Sequence, residues 1–297
     1  MKSKHPILYI FVLVILLLPS IFIVEGLVQL GLNEIYPHKS GNDLDVFNSA
    51  IYLFVSMTGA FGLIAVYRKF IDKDTIFNMG FSFKGRLTDL FIGTALGAFL
   101  ISLGFIIQIG LGYLEVESIQ FTPTLFIGNF ILMVFVAVHE EVLVRGYLLN
   151  SMMGVSNKYF ALALTSILFG GMHLMNPNIS AISFINIVLA GFLLGTSYIH
   201  SKNLWFPIGL HFAWNFFQGP ILGYEVSGQK INSVISQNIS GNTLATGGEF
   251  GFEGSIIATI LMIFSIAAIH WYFEKQEALT QKMTIDFSGN ELTIKED

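Results

Sequence analysis

Eight apolar runs, each near the roughly 20 residues needed to cross a bilayer as a helix, take up most of this 297-residue chain: about 6–30, 47–67, 88–112, 123–152, 159–175, 181–200, 204–223 and 254–273. Within lipid no water satisfies backbone N–H and C=O groups, so such runs must close their hydrogen bonds internally, as helices. The expectation is an all-α, polytopic membrane protein of about eight transmembrane helices in a single integral membrane domain spanning 1–297. Composition agrees: 54% of residues are hydrophobic, 12% are charged and 29 are phenylalanine, outside the usual range of a soluble domain.

The first run follows Lys2-Ser3-Lys4, as an export signal would, but Pro19-Ser20-Ile21-Phe22 continues the apolar stretch without a small-x-small cleavage site. It reads as a retained first span. The absence of cysteine excludes disulfides, thiolate metal sites and a cysteine nucleophile. The net charge of −5 comes without a basic patch, which argues against a nucleic-acid partner and leaves the lipid bilayer and molecules within it.

Lysine and arginine in short connections set orientation. Lys2 and Lys4 precede the first run; Arg68, Lys69, Lys73, Lys84 and Arg86 follow the second; Lys158, Lys202 and Lys275 follow the fourth, sixth and eighth. All fall on one side of an eight-span arrangement. The other side carries Glu34, Asp43, Asp45, Glu115, Glu117 and a glycine- and asparagine-rich segment. The predicted location is the cell membrane, multi-pass, with both termini cytoplasmic, an external loop at about 224–253 and a short polar tail at about 275–297. Gly93-x-x-x-Gly97 and Gly191-x-x-x-Gly195 permit close helix contact.

Within the fourth run stand two adjacent glutamates, Glu140 and Glu141, with Arg145 four residues beyond the second. A carboxylate at bilayer depth costs roughly 2.5–3.5 kcal/mol on insertion scales, so it persists where it is paired, faces protein or does chemistry. Glu141 and Arg145 share a helix face at i, i+4 and form an ion pair in the favourable order. Glu140 points about 100° away; its charged neighbour and low dielectric are expected to raise its pKa, as suits a general acid or base.

Phe169-Gly-Gly-Met-His173 and His211-Phe-Ala-Trp-Asn215 bring further polar groups into apolar runs. Glu140 and His173 are equidistant from the turn at Gly154-Val-Ser-Asn157. Antiparallel helices leaving that turn place both about 20 Å from the cytoplasmic end, at 1.5 Å per residue. By the same rise, His211 and Asn215 lie roughly 12 and 18 Å in from the turn at 201–203. The expected cluster is Glu140, His173, His211 and Asn215, with Glu141 and Arg145 in support. His139 points off Glu140's face and reads as helix packing, and His270 beside Trp271 reads as an interfacial anchor.

A carboxylate with two histidines organises an attacking water in one of two ways. Glu140 deprotonates it directly while His173 orients it, or Glu140, His173 and His211 hold a divalent metal such as zinc that lowers its pKa. His211 and Asn215 would donate to the oxyanion of a cleaved carbonyl, at about 3 kcal/mol per donor. His139-Glu140 is not a zincin motif, since the second histidine position is Leu143. Two other readings compete: a membrane immunity or scaffold protein whose cluster only holds helices together, and a proton-coupled transporter, which the lack of repeated halves weakens.

The ordered strings Glu140-Glu141-Val-Leu-Val-Arg145-Gly146, Phe169-Gly-Gly-Met-His173 and His211-Phe-Ala-Trp-Asn215 resemble the CPBP family of intramembrane proteases, which includes CAAX prenyl endopeptidases and bacteriocin-processing proteins and is also called the Abi family. Trp214 and Ile221–Gly228 also look like bacterial members. The motifs cover roughly 135–220, and the catalytic core is expected at about 123–223. The resemblance implies an endopeptidase acting on a membrane-associated protein or peptide. In it Glu140 and His173 would handle the nucleophilic water, His211 and Asn215 would stabilise the oxyanion, and Glu141 and Arg145 would support the site. The family was long called metalloprotease, so a bound metal stays open at this point.

Overall fold

The computed structural model describes residues 5–35 and 45–288. Expectations that rest on Lys2, Lys4, Asp43 and residues 289–297 lie outside the described residues. Eight long helices occur where the apolar runs stand: α1 (Pro6–Leu32), α2 (Val46–Asp72), α3 (Leu87–Gly110), α4 (Pro123–Met153), α5 (Lys158–Met172), α6 (Ala181–Ser201), α7 (Trp205–Phe216) and α8 (Ile256–Ser288). All except α5 and α7 are long and apolar enough to cross a membrane. At 1.5 Å per residue, α5 is about 22 Å long and α7 about 18 Å. Nearly every residue of α7 is buried, as expected of a helix that is hydrophobic all round and is surrounded by protein.

The chain is a polytopic, all-α membrane protein. Phe11, Ile23, Leu27, Phe70, Phe91 and Phe264 are among many large apolar side chains left exposed, which an aqueous surface would not tolerate in such number. Inside, one apolar core joins Tyr9, Leu13 and Leu17 of α1 to Val142, Leu143, Tyr147 and Leu148 of α4. A second joins Leu100 and Ile101 of α3 to Leu210 and Trp214 of α7.

The small-residue motifs sit at the closest helix approaches. A Cβ on Gly97 would stand 2.5 Å from the carbonyl oxygen of Leu210, and one on Gly93 would collide with that of Phe206. α3 and α7 therefore touch backbone to backbone. Similarly, a Cβ on Gly191 would come within 2.7 Å of Ser166 Cα, which sets α6 against α5.

Three local features depart from expectation. From Val142 to Leu149, α4 winds as a π-helix, a form concentrated at functional sites. The segment expected to be a turn-rich loop is folded: β1 (Leu114–Ile119) pairs antiparallel with β2 (Ile235–Ile239), and short helical turns at Thr243–Thr246 and Phe252–Gly254 lead into α8. Pairing across so long a separation is invisible to a local reading of turn residues. The polar tail expected from Lys275 continues α8 as helix to Ser288.

Candidate active site

α4 supplies Glu140, Glu141 and Arg145, the end of α5 supplies His173, and α7 supplies His211 and Asn215. His173 caps α5 with φ −95° and ψ 0°, the sparsely populated bridge conformation often found at active sites. Its Nδ1 lies 2.8 Å from the Phe169 carbonyl. A carbonyl only accepts, so Nδ1 carries the proton and Nε2 presents a lone pair. That Nε2 stands 3.9 Å from Glu140 Oε2. His211 approaches the same oxygen from the other side, with its Nε2 at 4.0 Å. Glu140 Oε2 is buried and has no hydrogen-bond partner among the described residues.

Glu141 does more than pair with Arg145. Its fully buried Oε1 accepts from Arg145 Nη1 at 2.6 Å and from His211 Nδ1 at 2.8 Å. The guanidinium also donates to the Gly191 carbonyl at 3.2 Å and lies 4.5 Å above the Phe169 ring. One buried ion pair thereby ties α4 to α5, α6 and α7 and fixes the ring that faces Glu140. Charge-assisted bonds of this length are the strong class.

Glu140, His173, His211 and Asn215 line one cavity of about 810 Å³. Asn215 is buried in its wall, one helical turn beyond His211. Among the further polar residues that line it, three were passed over by sequence reasoning although each lies in or beside an apolar run. Glu25, from α1, sits 2.9 Å from His139 Nε2, so His139 both stacks on Phe61 and faces the cavity. Gln29 lies one turn beyond Glu25. Glu253, from the segment before α8, accepts from Trp214 Nε1 at 3.1 Å and from the backbone N–H and hydroxyl of Ser227 at 2.9 and 2.7 Å. A lone carboxylate inside or bordering an apolar run was the signal available for both glutamates. His270 stands with its Nδ1 3.1 Å from His200 Nε2, next to the exposed Trp271.

Two imidazole nitrogens and a carboxylate have the chemistry of a zinc donor set, and in this structure they stand wider apart than the ligands of a closed zinc site. Ligand atoms about 2.0–2.2 Å from a tetrahedral zinc lie roughly 3.4 Å from each other, and here both N···O separations are wider. No group of three or more His, Asp or Glu among the described residues is arranged to hold a cation. The gap matches a water better: one about 2.8 Å from both Glu140 Oε2 and His173 Nε2 spans it without any movement.

Residues 122–217 match the family model described as type II CAAX prenyl endopeptidase, Rce1-like. No curated protein and no solved structure matches the chain. The matched stretch runs from just before α4 to just past α7 and carries every residue of the cluster. That stretch is similar to an Rce1-like type II CAAX prenyl endopeptidase, and it holds the three ordered motifs that resemble the CPBP family of intramembrane proteases.

Proposed function

We propose that this protein is an intramembrane endopeptidase of the CAAX- or bacteriocin-processing type, which hydrolyses a peptide bond in a membrane-associated protein or peptide with water activated by Glu140. The observation that carries this reading is the buried Glu140 Oε2, unpartnered and flanked at 3.9 and 4.0 Å by two imidazole Nε2 atoms. A water in that gap donates one hydrogen to Glu140 and the other to the lone pair of His173. Glu140 takes the proton as the oxygen attacks the carbonyl, then returns it to the leaving amine nitrogen. His211, held at Nδ1 by Glu141, donates from Nε2 to the oxyanion when it carries both protons, and the Asn215 amide supplies the second donor. No step needs a metal ion.

Purified protein in liposomes is expected to cleave members of a peptide library. Glu140→Ala and His173→Ala should abolish cleavage while the protein keeps its helical content and monodispersity, and a strong chelator should leave the wild-type rate unchanged. Cleavage that survives both substitutions refutes the mechanism. A scaffold role would instead leave cellular function intact in Glu140→Gln.

A further inference from the structure

The cavity opens towards one end of the bundle and reaches about its middle. On α1 it is lined between Phe22 and Gln29, towards the end at Leu32. On α2, which runs the opposite way, it is lined between Ser49 and Ser56, just after the start at Val46. On α6 it touches Ile187 to Leu194, and on α7 only Leu210 to Asn215. The connections that reach it are all at that end: Asn176 after α5, Val226 to Ile231 beside β2, and Glu253 before α8. The connections at the opposite end, 68–86, 154–157 and 201–204, contribute no lining residue.

That opposite end is closed. Arg68 is buried against Asp72, Asp74 and the Thr75 carbonyl. The Tyr9 hydroxyl donates to Asp72. Asn150 donates to the Tyr198 hydroxyl, which donates to the Met79 carbonyl. It is also the basic end. Among the described residues, Arg68, Lys69, Lys73, Lys84, Arg86, Lys158, Lys202 and Lys275 stand towards that end, Lys230 stands in a connection at the cavity's end, and Arg145 is in the site. A bias of this strength in short connections places the basic end in the cytoplasm.

We propose that substrate reaches Glu140 from the extracytoplasmic side, so that the substrate class is an exported or membrane-anchored chain offering a segment from the outer leaflet, and not a cytoplasmic chain end. The class rests on the proteolytic reading; the direction of access does not. Of the two substrate types under Proposed function, this geometry favours the exported one. Lys230, exposed at the mouth, and Glu25 and Gln29 on the α1 wall give an entering peptide polar contacts on the way to the glutamate.

The chain has no cysteine, so single cysteines report access without a background. Ser56→Cys puts a thiol on the cavity wall, Lys230→Cys puts one at the mouth, and Lys84→Cys puts one in the connection between α2 and α3. Treated with a membrane-impermeant sulfonated maleimide, intact cells should label Ser56→Cys and Lys230→Cys and spare Lys84→Cys, and inverted vesicles should show the reverse. Labelling of Ser56→Cys only from the side that labels Lys84→Cys, or from neither side, overturns the proposal. So does labelling of Lys84→Cys in intact cells. A second arm measures cleavage after Ser56→Cys is blocked from outside, with loss expected. If labelling follows the expected pattern but wild type and Glu140→Ala cleave equally, the proteolytic reading fails and the access route stands.

Discussion

Arg68 and Arg145 are both buried, both paired with a carboxylate one helical turn away, and both part of a four-way polar contact, yet they build opposite things. Arg68 draws its partners from the turn that follows it: Asp72 at 3.6 Å, Asp74 at 2.7 Å and the Thr75 carbonyl at 3.1 Å, with Lys73 in a left-handed conformation bending the chain back. Arg145 shares Glu141 with His211 from α7, 70 residues away in sequence. The first cluster plugs the basic end of the bundle. The second holds one carboxylate in place so that its neighbour, Glu140, can face a cavity with an oxygen unpaired. Burial and charge are alike at the two places, and the difference lies in which atom is left unsatisfied beside open space.

The largest effects should separate these clusters cleanly. Glu140→Gln is expected to lower kcat by about 10²–10⁴-fold, the range of a lost general base, while thermal stability in detergent stays level or rises because an orphaned buried charge is removed. Arg68→Met should do the reverse: about 3–5 kcal/mol of stability lost, because buried Asp72 loses its cation, with the turnover of each folded molecule unchanged. Equal destabilisation by the two variants would erase the distinction. Next in size, Asn215→Ala should lower kcat by about 10²–10³-fold with little change in KM, as for an oxyanion donor. A KM effect alone would make Asn215 a wall residue.

Gly97→Val tests the frame that carries His211. With the Leu210 carbonyl and Trp214 amide at 2.5 and 3.0 Å from a Cβ at that position, α7 must shift, at about 1–3 kcal/mol. The shift moves His211 off Glu141, so kcat should fall together with stability, and full activity in this variant would show that α7 need not be held so closely.

The eight helices were legible because each apolar run is long and bounded by charge or glycine. The meeting of Glu140 with His173 was legible too, since two helices leaving one short turn fix equal depths, and the observed gap is 3.9 Å. The bond from His211 to Glu141 was not. It depends on how α7 is rotated about its own axis, which the contacts at Gly93, Gly97 and Gly209 decide. Glu25 was hidden by the apolar residues around it, which dominate any average over the first run. β2 was hidden because its partner is more than a hundred residues away.

The smallest expected effect concerns His139, next to Glu140 in sequence and separated from it in role. Its ring stacks on Phe61 and its Nε2 meets Glu25 across the α1–α4 contact, while Nδ1 has no hydrogen-bond partner among the described residues. Glu25 keeps about a quarter of its side chain exposed to the cavity, so water can take over when the imidazole is lost. A partly exposed ion pair of this kind contributes roughly 0.2–1 kcal/mol. His139→Phe preserves the stacking and should therefore cost less than about 1 kcal/mol, with kcat within about tenfold of wild type, because at 1.4 kcal/mol per decade no larger change is available from that pair. A KM increase without a kcat change would mark Glu25 and His139 as the wall along which substrate enters. A kcat loss as large as that of His173→Ala would put His139 into the proton-transfer machinery and end its separation from the site.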